Sequence, residues 1–210
     1  MLIIQHFIKR FNEQLILEIK HQEFVPGIHW IKGENGSGKT TFFKSVSGII
    51  PFEGRIAFSN GIDLQKNPVA FRAQVNYSEA EPSYPGFLTA KDVIRFIGKI
   101  KNESRAKQDE YVNQFGVDSF FEKPCETYSS GMMKKLSLVT AFFGTPKLII
   151  LDEPLITLDE QARIVLYHLV KEKLKQGNIT FLMSSHQSIS ATDLEITQTL
   201  SIQNKKLVAL

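Results

Sequence analysis

One short segment constrains the fold of this chain more than any other feature. Residues 33–40 read Gly-Glu-Asn-Gly-Ser-Gly-Lys-Thr and match the pattern G-x-x-x-x-G-K-[ST] in full. The apolar segment Ile28–Ile31 precedes it and a helical pattern begins at Lys39, which is the strand, loop and helix context that the pattern requires. Glycines let backbone N–H groups surround phosphate oxygens, and the helix N-terminus adds about half a unit of positive charge. The segment therefore predicts a nucleoside triphosphate site.

Two side chains of this segment have predicted roles of their own. Lys39 supplies a point charge to the β- and γ-phosphates, and the Thr40 hydroxyl is a ligand for Mg²⁺. The residues expected to contact the nucleotide are Gly33, Glu34, Asn35, Gly36, Ser37, Gly38, Lys39, Thr40 and Thr41.

A second segment pairs a buried strand with two acids. Leu148–Leu151 is continuously apolar and is followed directly by Asp152 and Glu153. Such a strand places its terminal acids at the carboxyl edge of a parallel sheet, where ligands bind in open α/β folds. We therefore expect Asp152 to hold Mg²⁺ and Glu153 to polarise an attacking water.

Short apolar segments alternate with helical patterns along the chain, which is typical of an α/β fold. We expect one domain across residues 1–210, with helices inserted between two parts of the sheet. The predicted strands are Leu2–Ile8, Leu15–Ile19, Phe24–Ile31, Gly54–Phe58, Ala73–Tyr77, Leu148–Leu151, Ile179–Ser184 and two within Glu195–Leu210; the predicted helical segments are Lys39–Ile50, Thr89–Phe143 and Asp159–Gln176.

Composition excludes several other classes of protein. Hydrophobic residues make up 42% of the chain and charged residues 22%, as in an ordinary globular protein. The net charge of +3 is too small to argue for nucleic acid as a partner. A lone Cys125 forms no internal disulfide, and no stretch approaches the ~20 apolar residues of a membrane span. These features predict a cytoplasmic protein.

A third segment makes the comparison with a known family specific. Residues 128–132, here called the signature segment, read Tyr-Ser-Ser-Gly-Met and lie between the glycine-rich loop and the acidic pair, and Ser185-His186 follows later. This order resembles the nucleotide-binding subunit of an ABC transporter, and the segments Tyr128–Leu136 and Ala80–Leu88 are similar to the exporter branch. The resemblance implies a P-loop NTPase fold with a mixed sheet core, an N-terminal antiparallel β subdomain and a helical subdomain inserted at about 85–136.

The resemblance also implies roles for residues beyond the glycine-rich loop. Ser129, Ser130 and Gly131 match the signature that grips the ATP γ-phosphate of a partner subunit. Asp159 follows Leu158 in a segment that contacts the other subunit, and His186 matches a histidine that hydrogen-bonds the γ-phosphate and the attacking water. Phe11 falls where an aromatic ring stacks on adenine, although this chain has 16 phenylalanines and a core role for Phe11 stays open.

One position departs from the family. The family's glutamine between the strand ending at Tyr77 and Pro82 falls on Ala80, which offers no ligand to Mg²⁺ and no amide to a membrane partner. Glu79 and Glu81 flank the alanine. They either supply a carboxylate to the metal or are solvated loop acids.

The resemblance predicts an ATPase subunit that binds ATP and Mg²⁺ and powers a transporter, with an exporter favoured. Its expected partners are a transmembrane permease on a separate chain and a second ATP-binding subunit, in a homodimer; nucleic acid is not expected. The subunit would lie in the cytoplasm, held at the inner face of the cell membrane by the permease. Two alternatives stay open: a soluble ABC-type ATPase, and a regulatory nucleotide-binding subunit with little hydrolysis.

Overall fold

A mixed β-sheet runs through the part of the chain that the computed structural model describes, residues 1–185 and 194–210. Its spatial order within these residues is β4-β1-β2-β9-β8-β3-β7-β6-β5. The strands are β1 (Leu2–Phe11), β2 (Gln14–Phe24), β3 (Gly27–Lys32), β4 (Glu53–Phe58), β5 (Val75–Ser78), β6 (Leu148–Leu151), β7 (Thr180–Ser184), β8 (Gln198–Gln203) and β9 (Lys206–Ala209).

Four α-helices of the described residues are preceded by a residue whose side chain caps them. Ser104, Ser129 and Asp159 each accept a backbone N–H through the side chain, and Thr89 forms a reciprocal capping box with Asp92. The helices are α1 (Lys39–Val46), α2 (Pro68–Ala73), α3 (Ala90–Ile100), α4 (Arg105–Gln114), α5 (Ser130–Ala141) and α6 (Glu160–Lys175), with short 3-10 helices at Val117–Phe120 and Cys125–Thr127.

The sheet has an antiparallel part and a parallel part. β1 pairs antiparallel with both β2 and β4, whereas β3 and β6 each pair parallel with β7, and β6 pairs parallel with β5. Parallel strands end at the same edge of a sheet. The residues that follow β3 and β6, Gly33 and Asp152, therefore lie at one edge.

Apolar side chains cover both faces of the sheet because alternate residues of a strand point to opposite faces. Ile149 and Leu151 pack into a core that includes residues of α3 to α6, while Leu148 and Ile150 pack into a second core with Phe42 of α1. Strands buried on both faces read as continuous apolar runs, which is why β6 was recognisable in the sequence.

Two predicted boundaries were wrong because a proline or a glycine interrupts the element. The predicted strand Phe24–Ile31 is divided, because β2 ends at Phe24 and β3 begins at Gly27 beyond Pro26, which has no N–H for the ladder. The predicted helix Lys39–Ile50 stops at Val46, and Gly48 then adopts a left-handed φ of 76° that ends the helix.

The predicted strand Ala73–Tyr77 was also displaced. Pro68 starts a short helix that extends to Ala73, as proline favours the first turn of a helix, and the strand runs from Val75 to Ser78. The predicted helical segment Thr89–Phe143 contains α3, α4 and α5, with residues 101–104 separating α3 from α4.

Candidate functional site

The glycine-rich loop connects β3 to α1 at the carboxyl edge of the sheet. Gly38 precedes the first residue of α1 with a left-handed φ of 106°, a conformation that favours glycine. A Cβ atom built on Gly33 would lie 2.5 Å from the Ser37 Oγ, so a larger residue at position 33 would require Ser37 to move. The two glycines thus maintain the loop that the sequence predicted.

Lys39 lies inside this loop rather than in solvent. Its Nζ donates hydrogen bonds to the carbonyl oxygens of Gly33, at 2.7 Å, and of Glu34, at 3.1 Å. The side chain is buried, so its charge is directed into the concave side of the loop. A phosphate in the loop would offer the same ammonium a charged acceptor, which forms a stronger hydrogen bond than a carbonyl.

Three side chains donate hydrogen bonds to the Asp152 carboxylate. Thr40 donates through Oγ1 to Asp152 Oδ2 at 2.6 Å, and Ser184 donates through Oγ to Asp152 Oδ1 at 2.7 Å. Tyr77 also reaches Oδ2, at 3.4 Å, and burial together with the Asp152 charge raises the pKa of its phenol. The carboxylate is fully buried, so its orientation is set by these donors.

Glu153 has an unusual backbone conformation. Its φ is 46°, in the left-handed region that non-glycine residues rarely adopt, and its N–H donates to Ser184 Oγ at 3.0 Å. Such conformations cluster at active sites, where the surrounding structure holds them against a cost of about 1–3 kcal/mol. This conformation turns the chain at Glu153, so that Glu153 faces the cleft and does not continue the direction of β6.

These groups border one open cavity of about 450 Å³, here called the phosphate cleft. The structure brings most of the predicted loop residues together with the acidic pair, although the two are more than a hundred positions apart in the sequence. Its lining residues are Ile16, Asn35, Gly36, Ser37, Gly38, Lys39, Thr40, Thr41, Ala80, Glu81, Asp152, Glu153 and Ile156. Gly33 and Glu34 instead line a neighbouring cavity of about 650 Å³ beside the β8–β9 turn.

The two acids that flank Ala80 are placed differently. Glu81 lines the phosphate cleft beside Ala80, whereas the Glu79 carboxylate forms an ion pair with Lys44 at 3.0 Å. Glu81 is thus the acid whose position suits a contribution to the metal.

The predicted signature residues lie at a separate place. Ser129 caps α5 by accepting the Met132 N–H at 3.2 Å, and it borders a cavity of about 460 Å³, here called the signature cavity. Gly131 and Asp159 border the same cavity, whereas Ser130 is the exposed first residue of α5.

Asp159 is held in place from two sides. It caps α6 by accepting the Ala162 N–H at 2.8 Å and pairs with Lys135 at 2.6 Å. The Lys135 hydrogen bond, followed by that from the Ala162 N–H, lowers the pKa of the Asp159 carboxyl.

Two further predicted residues are not part of the phosphate cleft as described. Phe11 ends β1 with 49% of its surface exposed, and the Lys9 ammonium lies 4.5 Å from its ring centroid. Its accessible ring fits stacking on a base better than it fits the core role. His186 lies outside the described residues.

The sequence analysis missed three residues that shape the cleft. Tyr77 and Ser184 bind the Asp152 carboxylate, and the Lys134 ammonium donates to the Asp152 carbonyl at 2.7 Å. Tyr77 is the next-to-last residue of β5 and Ser184 the last residue of β7, and both strands pair parallel with β6, so strand pairing was the signal that pointed to them. Lys134 carried no such signal, since a lysine in a helix is ordinarily solvated.

Comparison with known proteins resolves the family. The family model described as ABC transporter matches residues 17–156, which include the glycine-rich loop, the signature segment and the acidic pair. The chain belongs to the ABC transporter family. It is an ABC ATP-binding domain, and the P-loop fold predicted from the sequence is confirmed.

Relatives within the ABC family differ in how much of their length this chain covers. Human phospholipid-transporting ATPase ABCA7 is 32% identical over 158 residues, which is 73% of this chain and 7% of ABCA7. The linearmycin resistance ATP-binding protein LnrL of Bacillus subtilis is 27% identical, across 73% of this chain and 50% of LnrL. The uncharacterized ABC transporter ATP-binding protein YybJ of Bacillus subtilis is 26% identical, across 93% of this chain and 91% of YybJ.

Solved structures agree on the fold. A structure described as the ATP-binding subunit of an ABC transporter superposes with a TM-score of 0.87 at 24% identity, covering 100% of this chain and 90% of that one. A dimeric ATP-binding cassette in a post-hydrolysis state with ADP and phosphate superposes with a TM-score of 0.83 at 17% identity, covering 99% and 96%. The mixed sheet with its helices is therefore the ABC ATPase fold.

Proposed function

We propose that this ABC domain hydrolyses ATP and powers a transporter whose membrane-spanning part is a separate chain. The observation that carries the proposal is the junction of Thr40 and Asp152 at 2.6 Å, beside Lys39 and Glu153 in one cleft. A phosphate-binding loop, a metal-binding pair and a general base are the parts that nucleotide hydrolysis requires. Together they favour hydrolysis over simple nucleotide binding.

The residues of the cleft fit a nucleotide with Mg²⁺. Ser37 Oγ is buried and has no hydrogen-bond partner within the described residues, and the Lys39 ammonium is held by carbonyls that a phosphate can replace. The hydroxyl of Thr40 and the carboxylate of Asp152 are hard oxygen donors of the kind that Mg²⁺ prefers. Held by Thr40 and Asp152, Mg²⁺ would neutralise the negative charge that develops on the phosphates.

The other side chains have roles in the same reaction. Lys39 binds the β- and γ-phosphates, and Glu153 orients a water molecule toward the γ-phosphorus and accepts its proton as the bond to the ADP oxygen breaks. Phe11 is proposed to stack on adenine, and His186 to hydrogen-bond the γ-phosphate.

The position of the signature segment supports a composite site made by two subunits. The phosphate cleft and the signature cavity share no lining residue, so Ser129 and Gly131 do not contact a phosphate bound at Lys39 of the same chain. Two copies arranged head to tail would place the signature cavity of one against the phosphate cleft of the other. The dimer described for the solved post-hydrolysis cassette is a precedent for two such domains pairing.

An exposed apolar surface supports a separate membrane partner. Val69, Phe96 and Ile100 are 76%, 67% and 58% exposed, and Lys101 joins their helices by donating to the carbonyls of Arg72 and Ala73. Apolar side chains exposed together mark interaction sites more often than single ones do. None of the helices in the described part of the chain is long and apolar enough to cross a bilayer.

We further propose that residues 1–210 form one ABC-type domain with a helical subdomain at about 85–136, bound to the inner face of the cell membrane through that partner. An export direction is favoured by the similar LnrL and the daunorubicin resistance ATP-binding protein DrrA2 of Streptomyces coeruleorubidus, which is 25% identical across 85% of this chain. The Fe(3+) ions import ATP-binding protein FbpC 2 of Rhizobium meliloti, 28% identical across 83% of this chain, favours an import direction instead.

The test is ATP hydrolysis by the purified chain, with and without a transmembrane chain if a neighbouring gene encodes one. We expect hydrolysis that Lys39→Ala abolishes, co-purification of the two chains, and stimulation of hydrolysis by the partner. Phe96→Glu, on the exposed apolar surface, should prevent co-purification while hydrolysis by the isolated chain persists. Nucleotide binding without turnover in either setting would favour the regulatory alternative, and turnover without any membrane partner would favour a soluble ATPase.

A further inference from the structure

Lys134 is a buried cation whose hydrogen-bonding capacity is fully used. Its side chain is 1% exposed, and Nζ donates to the carbonyls of Glu79 at 2.5 Å, Asp152 at 2.7 Å and Ala80 at 3.3 Å. An ammonium carries three N–H donors and no acceptor. Each donor therefore has a backbone carbonyl, and the nearby carboxylates of Asp152, Glu153 and Glu79 stabilise the charge without a direct hydrogen bond in the described residues.

The three carbonyls belong to segments that shape the phosphate cleft. The carbonyls of Glu79 and Ala80 lie in the loop after β5, at the position where the family's glutamine is replaced by alanine. The Asp152 carbonyl forms the peptide bond to Glu153, the proposed general base. One ammonium thus connects the loop, the acidic pair and helix α5.

Side chains of β5 form hydrogen bonds with helix α5 and the residues just after it at two further places. Ser137 Oγ and Ser78 Oγ share a hydrogen bond of 2.9 Å, and Asn76 Nδ2 donates to the carbonyls of Ala141 and Phe143 at 2.9 and 2.8 Å. Ser129 caps the N-terminus of this same helix. Lys134 and the helix it belongs to therefore connect the loop at residues 79–80 to the signature segment.

We propose that Lys134 is a positioning residue that couples the signature helix to the loop at residues 79–80 and to the Asp152–Glu153 peptide. Its ammonium holds the backbone of Ala80, whose own side chain offers no polar group. The inference rests on the proposed function, since it assigns Lys134 a role in the same hydrolysis. Lys134 does not line the phosphate cleft, so it would act through the backbone it holds.

Lys101 provides a matched control for this contact. Its Nζ donates to the carbonyls of Val75, Arg72 and Ala73 at 2.8, 2.9 and 3.4 Å, at the end of β5 opposite to the cleft. Burial lowers the pKa of both ammonium groups to about 8. Both lysines thus donate to three backbone carbonyls, but Lys101 is only partly buried and lies farther from the site.

The test compares Lys134→Met, Lys134→Arg and Lys101→Met in the purified chain by kcat and KM for ATP, with Tm as a measure of folding. We expect Lys134→Met to lower kcat about 10-fold or more while KM for ATP changes less than about 3-fold, because the nucleotide contacts remain and the base is displaced. Lys134→Arg keeps charge and donors and should recover part of kcat. Lys101→Met should lower Tm and leave kcat within about 2-fold of wild type.

The outcomes separate this inference from the proposed function. The inference would be overturned if Lys134→Met and Lys101→Met lost kcat equally and in proportion to their loss of Tm. Lys134 would then have only a structural role. An unchanged kcat in Lys134→Met would also overturn the inference. If Lys134→Met does not fold, Lys134→Gln, which retains two N–H donors, replaces it with the same expected split between kcat and KM. Absence of any Lys39-dependent hydrolysis in the wild type would instead contradict the proposed function.

Discussion

The Thr40 hydroxyl and the Asp152 carboxylate are joined by a hydrogen bond of 2.6 Å across 112 positions of sequence. The first residue belongs to α1 and the second follows β6, so the contact exists only because β3 and β6 both pair parallel with β7. Ser184, at the end of β7, holds the other oxygen of the same carboxylate. Helix α1, the end of β6 and the end of β7 therefore meet at the proposed metal site.

Replacing Thr40 with valine preserves the shape of the side chain and removes the hydroxyl. We expect the Mg²⁺ concentration for half-maximal ATPase to rise about 10-fold or more, because a metal ligand is lost while the loop stays intact. Titration of Mg²⁺ at saturating ATP measures the effect. Thr145→Val, at an exposed threonine outside the cleft, is the control and should leave the titration unchanged.

Glu153→Gln should preserve ATP binding and lower kcat by roughly 10²–10⁴-fold, because the amide cannot accept the proton of the attacking water. The change also removes repulsion against the γ-phosphate, so ATP should hold two subunits together. Size-exclusion chromatography with ATP and Mg²⁺ measures the dimer. Glu110→Gln, on the exposed face of α4, is the matched control; normal turnover in Glu153→Gln would remove this residue from the mechanism.

A mixture of Lys39→Ala and Ser129→Arg subunits tests the composite site. In a head-to-tail dimer each mixed pair contains one doubly broken site and one intact site, so activity should partly return when the two inactive proteins are combined. ATPase measured across mixing ratios should pass through a maximum near equal amounts. A flat line at the level of the separate variants would indicate a site built within one chain.

Glu81 and Glu79 are predicted to differ although both flank Ala80. Glu81 lines the phosphate cleft, so Glu81→Ala should raise the Mg²⁺ requirement, and Ala80→Gln should restore part of the loss in that background. Glu79→Ala removes an ion pair with Lys44 at the surface and should change little. Equal responses of the two alanine variants would contradict this assignment.

Asp63 should contribute stability that depends on acid pH. Burial raises the pKa of its carboxyl, but hydrogen bonds from Arg55 and from the N–H groups of Lys66 and Gln65 outweigh that effect, so its pKa lies below the ordinary value. A carboxyl with a depressed folded pKa stabilises the fold above its unfolded pKa, near ~3.9, and loses that contribution as pH falls through the folded pKa.

Asp63→Asn should therefore cost about 1–3 kcal/mol at pH 7 and progressively less below about pH 4. Urea unfolding of both proteins at pH 7 and at pH 3 measures the two differences in free energy of unfolding. Asp118→Asn, at an exposed carboxyl for which no salt bridge is found in the described residues, is the control. A difference that stays constant with pH would show that the Asp63 charge does not contribute.

The features that could be predicted from the sequence are those that depend on residues next to one another in the chain. The loop at residues 33–40 was identifiable because phosphate binding needs glycines, a lysine and a hydroxyl at fixed spacing, and β6 was identifiable because a strand buried on both faces is apolar throughout. Capping by Ser129 and Asp159 is equally local, as each accepts an N–H three residues away. Boundaries near Pro26 and Pro68 were misplaced because one residue without an N–H changes the backbone where periodicity continues.

The sequence by itself determined the family, the phosphate-binding loop and the pair of acids that follows β6. Only the tertiary structure decided which groups hold those acids: Tyr77 and Ser184 on neighbouring strands, and Lys134 from α5. It also distinguished Glu81, in the cleft, from Glu79, paired with Lys44. The physical reason is that parallel pairing and helix packing join residues far apart in the chain, and a buried lysine among carbonyls has the same sequence signature as a solvated one.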